Sequence, residues 1–155
     1  MKLISFRPDL QDKLEAFLQI MQESRGYSFD RLNLPPDIRN IKETYQDCGG
    51  EFWVLEDHNS IIGSIAIRAI DPEKRIGEIK RYFVLPSYQR QGIGGKLMAH
   101  AIRFAEEVKF EKIRLDTMKK SESAIIVFKK YGFYEIPKYN NNDVAEIFME
   151  RSLNM

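Results

Sequence analysis

A single cysteine, Cys48, is all the chain contains, so no disulfide can form within it. A reducing, cytoplasmic setting is the expected one. No run approaches the ~20 consecutive apolar residues that cross a bilayer, so no membrane span is expected. The opening stretch, Met1–Gln11, is broken by Arg7 and Pro8 and does not have the layout of a signal peptide. Neither sign of charge dominates: 24 basic residues face 23 acidic ones, for a net charge of +1. Nucleic acid is therefore not expected as a partner, because phosphate binding usually needs a clear basic excess. Internal repeats, linkers and low-complexity segments are also missing. Only two histidines occur. His58 falls in a turn and His100 on a helix flank, so no serine–histidine or cysteine–histidine pair suggests a covalent intermediate. No metal ligands are assigned.

What is present fits one domain over residues 1–155, long enough to bury roughly 70% of its unfolded surface. Lys2–Phe6 alternates and reads as a strand. Pro8-Asp9 opens a helix, with Leu10, Leu14, Phe17, Leu18 and Met21 at helical spacing up to Ser24. Gly26–Pro36 reads as a loop. A second helix starts at Pro35-Pro36, carries Ile38, Ile41 and Tyr45, and stops at Gly49-Gly50. Cys48, just before that stop, reads as a small buried hydrophobe. Glu51–Glu56, Ile61–Ile70 and Arg75–Leu85 form a meander, turning at Asp57–Ser60 and Asp71–Lys74. Trp53 reads as sheet packing. A long helix follows with Ile93, Leu97, Ala101, Phe104, Ala105 and Val108 on its apolar face. Lys112–Asp116 is a strand, and Ser121 caps a helix that Gly132 ends. Phe133–Ile136 and Val144–Met149 close the chain around the polar loop Pro137–Asp143. This mixed order implies an α+β (α/β layered) fold.

The richest stretch for function is the connector Ser87–Gly95. A strand ends, a glycine-rich turn follows, and the long helix begins. The first turn of a helix leaves about four N–H groups unpaired, and its dipole favours an anion there. Arg90 and Lys96 add positive charge. The spacing misses a dinucleotide fingerprint, because Leu97 stands where the third glycine belongs. It misses a Walker A loop as well, since Arg90 and Leu97 replace the required glycine and hydroxyl. Spacing alone leaves two readings open: an anion site, or a helix start whose glycines serve packing.

Gln89-Arg90-Gln91-Gly92-Ile93-Gly94 resembles the Q/R-x-x-G-x-G/A signature of the GNAT superfamily of N-acetyltransferases. Glu78–Val84 resembles that family's fourth strand, and Ala124–Phe133 its last helix with the Gly-Phe pair after it. The resemblance covers nearly the whole chain. It implies a mixed, mostly antiparallel central sheet of about seven strands flanked by four helices. It also implies acetyl-CoA as donor and an amine as acceptor. The backbone of Tyr82, Phe83 and Val84 would hold the pantetheine arm. Arg90, Gln91, Gly92, Ile93, Gly94 and Gly95 would hold the pyrophosphate, with Gln89, Lys96, Ser121 and Phe128 also at the cofactor. Similar proteins are commonly dimeric, which leaves a homodimer open.

Amide formation from an amine needs a base, an oxyanion donor and an acid for the departing thiolate. A backbone N–H near Val84 is the expected oxyanion donor. Glu78 and Asp116 are the candidate bases. Glu78 reads equally as an ion-paired strand residue with Lys80 or Arg81, and Asp116 as a strand-end cap. Relatives often place an acidic tyrosine where this chain has Phe128. Tyr131, one helical turn on, is the candidate substitute, or else a packing aromatic. The acceptor is expected between the first two helices and the late loop, near Tyr27, Arg31, Arg81, Tyr139 and Asn140. The class could be a small amine, amino acid or polyamine, or a protein amine. A non-catalytic acyl-CoA-binding module is the third alternative.

Overall fold

The computed structural model describes residues 1–153. Its strands are β1 (Lys2–Ser5), β2 (Glu51–Asp57), β3 (Ser60–Asp71), β4 (Ile76–Val84), β5 (Lys112–Thr117), β6 (Tyr134–Ile136) and β7 (Ile147–Ser152). The helices are α1 (Gln11–Ser24), α2 (Pro36–Arg39), α3 (Ile93–Glu107) and α4 (Glu122–Lys130). The strands make one seven-stranded sheet in the order β1-β2-β3-β4-β5-β7-β6. Among the described residues only the β4–β5 pairing is parallel; the other neighbours run antiparallel.

Alternation along the strands feeds two separate cores, one on each face. Phe52, Val54 and Ala66 pack with Leu14, Phe17, Leu18, Ile38 and Tyr45 on the α1–α2 face. Trp53, Ile65, Ile67 and Ile79 pack with Leu97, Met98 and Ala101 of α3, together with Phe128 of α4. A sheet covered on both faces explains why β3 reads as a nearly continuous apolar run. Trp53 is buried edge-on against His100 and Phe104, as sheet packing requires.

Several boundaries depart from expectation. The second helix is split. α2 ends at Arg39, and the chain resumes as a π-helical turn over Lys42–Gln46. Tyr45 in that turn reaches back, and its hydroxyl donates to Asp37 at 2.7 Å. Cys48 is exposed, not buried, with its Sγ 3.1 Å from the Glu43 carbonyl. β7 starts at Ile147, three residues later than the pattern suggested, and extends to Ser152. The cause is local. The Asn140 and Asn142 side chains accept the N–H groups of Asn142 and Val144 at 3.0 and 3.2 Å. Such Asx turns satisfy the backbone without a strand partner. Ser121 precedes α4, but its side chain makes no capping bond.

The feature that positions the site is a split between β4 and β5. They pair only from Ile76–Lys112 to Glu78–Arg114. Beyond that point β4 follows β3 as far as Val84, while β5 follows β7 as far as Thr117. A bulge drives the divergence: Ser64 opposes Phe83 and Ala66 opposes Lys80, so β4 carries one extra residue there. Arg81 sits in the bulge at φ 52°, a left-handed conformation costly for a side-chain-bearing residue. The buried Ser64 hydroxyl holds it by donating to the Arg81 carbonyl at 2.6 Å.

Candidate active site

The split opens into a cleft of about 1390 Å³ that runs from the N-terminus of α3, between β4 and β5, to the α1–α2 face. Its donor end is made by the glycine-rich connector. Arg90 and Gly92 both take left-handed backbone, at φ 64° and 79°, and Gly92 is the residue from which α3 starts. The first helical bond runs from the Lys96 N–H to the Gly92 carbonyl at 3.2 Å. No side chain caps the turn, so the amides of Ile93, Gly94 and Gly95 point into the cleft mouth without helical partners. A β-carbon on Gly94 would collide with the Tyr82 hydroxyl, so this position admits glycine alone while Tyr82 stays as it is. The Gln89 side chain ties the connector back to the strand by donating to the Val84 carbonyl at 2.9 Å.

Along the split, the Leu85 N–H donates to the Ile62 carbonyl on β3 at 2.9 Å. Neighbouring strand residues point their polar groups to opposite sides, so the Val84 N–H turns away from β3 toward the cleft, while its C=O is taken by the Gln89 amide. Asp116, near the end of β5, lines the opposite wall. Its Oδ2 accepts the Asn140 amide at 2.7 Å, which leaves Oδ1 without a protein donor among the described residues.

Glu78 is only 1% exposed and does not line the cleft. Its Oε1 receives Arg68 at 2.8 and 3.0 Å, and its Oε2 receives the Tyr139 hydroxyl at 2.6 Å and Asn140 at 3.2 Å. The ion pair therefore forms with Arg68, not with Lys80 or Arg81. Burial, then the charge of Glu78, pushes the Tyr139 phenol well above its ordinary value, so it stays a proton donor to that carboxylate. Tyr139 and Asn140 thus tie two carboxylates together beneath the cleft instead of lining an acceptor pocket.

The structure brings Tyr82, Phe83, Val84, Gln89, Arg90, Gly92, Ile93, Gly94, Gly95, Ser121 and Phe128 to the cleft, together with Asp116, Tyr27 and Arg81. Gln91 and Lys96 are exposed outside its lining. Arg31 lies away from it, paired with Glu15 at 3.2 Å. The Tyr131 hydroxyl faces Gly95 beneath the first turn of α3, off the lining. Phe128 is buried between Tyr82 and Phe133.

Sequence reasoning missed Asp37, Arg68, Arg25 and Lys120. Arg81 makes a two-pronged contact with Asp37, at 2.9 and 2.7 Å. Burial raises the Asp37 carboxyl, but Arg81 and the Tyr45 hydroxyl outweigh it and hold the group below its ordinary value. Arg68 opposes Glu78 across the β3–β4 hairpin, but only because a bulge between Ala69 and Asp71 shifts the register set by the turn. Nothing local in the sequence links Asp37 to Arg81.

These elements define an acyltransferase architecture. The chain belongs to the acetyltransferase (GNAT) family, whose model matches residues 14–133, and it spans about half to three fifths of the length of the curated N-acetyltransferases it matches. It is 26% identical over 102 residues to the uncharacterized N-acetyltransferase YjgM of Escherichia coli, covering 65% of this chain and 61% of that protein. Human N-acetyltransferase 8 is 28% identical over 107 residues, and the match spans 47% of its length. A GNAT-family acetyltransferase from Staphylococcus aureus Mu50 superposes with a TM-score of 0.87 at 28% identity, over 99% of each chain. A Streptococcus agalactiae acetyltransferase, at 24% identity and a TM-score of 0.85, shares the fold.

Proposed function

We propose that this protein transfers the acetyl group of acetyl-CoA directly to the primary amine of a small molecule. One observation carries the reading: unpaired amides at the head of α3, an outward Val84 N–H and a half-free Asp116 carboxylate share one cleft. The donor end suits the cofactor chemically. Amides of Ile93, Gly94 and Gly95, with Arg90 beside them, match a diphosphate. The exposed edge of β4 from Tyr82 to Val84 matches the amide groups of a pantetheine arm. Acetyl-CoA would supply an activated acetyl thioester.

Asp116, not Glu78, is the base in this reading. Both Glu78 oxygens are occupied, whereas Asp116 keeps Oδ1 for an ammonium proton or for a water that relays it. The Val84 N–H donates to the oxygen that gains charge as the amine adds. Phe128 has no proton to give a departing thiolate, and Tyr131 stands off the cleft, so the adding amine itself carries the proton that is needed. A small acceptor is favoured over a protein chain because Tyr27 reaches across to the segment that follows β5, its hydroxyl donating to the Met118 Sδ at 3.2 Å, and both residues line the cleft.

The test is to mix protein and acetyl-CoA with a panel of amines and follow free thiol. Turnover with at least one small amine is expected. The missing acid at Phe128 favours one rival, a non-catalytic acyl-CoA-binding module. Binding of acetyl-CoA without turnover on any amine would establish that rival.

A further inference from the structure

The charges at the acceptor end do not balance. Asp37 is already neutralised by Arg81, and Glu78 beneath the floor by Arg68. Three other cations of the lining here, Arg25, Lys80 and Lys120, have no carboxylate within salt-bridge distance among the described residues, and two of them share one aromatic ring. The Arg25 guanidinium lies over the rings of Tyr27 and Phe83, at 5.4 and 5.3 Å. Its hydrogen-bond partner is the neutral Gln22 Oε1, at 3.1 Å. The Lys120 ammonium lies over the same Tyr27 ring at 4.7 Å. All three side chains line the cleft.

Gathering two like charges on one aromatic ring costs repulsion, and cation–π attraction at a partly exposed site returns only about 0.5–1 kcal/mol each. An anion lying beside Tyr27 removes that repulsion. The ring itself is held in place by its bond to Met118, so both cations are positioned before any ligand arrives. A polycation would meet the same pair as a barrier, with Asp116 and Glu122 the unpaired carboxylates of the lining to attract it.

We infer that the acceptor is an amine that also carries an anionic group, a carboxylate in the first instance, gripped by Arg25 and Lys120 while its nitrogen reaches Asp116. This rests on the acetyl-transfer reading above and narrows its substrate class. The chemistry is shared by amino acids and by phosphorylated amines, and the assay separates them.

The experiment measures thiol release with acetyl-CoA and four probes: the common L-amino acids, the matching amino-acid amides, phosphoethanolamine and spermidine. Calorimetry of acetyl-CoA alone runs alongside. An anionic amine should be used with kcat/KM about tenfold or more above its neutral amide and above spermidine. Arg25→Ala and Lys120→Ala should each raise its KM about tenfold and shrink the preference over the amide, with KM for acetyl-CoA within about twofold of the parent. Arg25→Lys should recover part of the loss. Circular dichroism of each variant separates misfolding from lost binding. Equal or better use of amides or spermidine overturns the inference. So does a Lys120→Ala variant whose defect falls on acetyl-CoA, or a protein that binds acetyl-CoA yet acetylates no anionic amine. Failure to bind acetyl-CoA at all instead strikes the acetyl-transfer reading itself.

Discussion

Arg68 and Glu78 stand opposite each other across the β3–β4 hairpin, and the guanidinium closes on the carboxylate at 2.8 and 3.0 Å. Glu78 is buried at the point where β4 and β5 begin to part, so the pair anchors the floor of the cleft. Leaving one buried charge without its partner is expensive. Arg68→Ala, which strips the buried Glu78 carboxylate of its ion partner, should therefore lower unfolding free energy by about 3 kcal/mol, read by denaturant titration. Asp116→Asn, at a less buried position with fewer contacts, should cost far less stability.

The same two variants separate structure from chemistry. Asp116→Asn should cut kcat by roughly 10²–10⁴-fold, the usual worth of a general base, while the acetyl-CoA dissociation constant stays nearly constant. Steady-state kinetics with calorimetry decides this. A variant that keeps its kcat would remove Asp116 from the mechanism.

Tyr82 and Gly94 compete for one small volume. A Gly94→Ala change places its methyl against the Tyr82 hydroxyl and should weaken acetyl-CoA binding about tenfold by displacing the first turn of α3. Removing that hydroxyl leaves the nearest ring carbon at 3.4 Å, a tolerable contact. Gly94→Ala combined with Tyr82→Phe should then bind more tightly than Gly94→Ala alone, a coupling read from a double-mutant cycle.

Asp37 makes part of the stability pH-dependent. Its folded carboxyl titrates below the ordinary value of 3.8, so the unfolded chain binds the proton first as pH falls. Its contribution is complete above the unfolded value and disappears as pH drops through the folded one. In thermal melts below about pH 4, the parent should lose stability faster than Asp37→Asn, and the two curves should run parallel near neutrality.

The parts of the site that depend on local chain chemistry were legible. Gly92 and Gly94 before an apolar helical stripe announce an open helix N-terminus, and the chain forms one. The Arg68–Glu78 pair was less so, because a bulge between Ala69 and Asp71 shifts the register by one from what the Asp71–Lys74 turn alone would set. Contacts between distant segments were not. Asp37 meets Arg81 only once α2 packs on the sheet, and Tyr139 meets Glu78 only once the late loop folds under β5. The start of β7 was misjudged for a related reason. Val144 continues the apolar pattern, but the asparagine turns before it satisfy its backbone and leave it facing the cleft.

The most direct measurement is calorimetric titration of acetyl-CoA into the parent and into Gly94→Glu, with circular dichroism to confirm that both are folded. A carboxylate at the head of α3 would repel the diphosphate and fill its cradle. The parent should bind, and the folded variant should show no heat of binding. Equal affinity in the two proteins would contradict the placement of the cofactor and the acetyl-transfer account built on it.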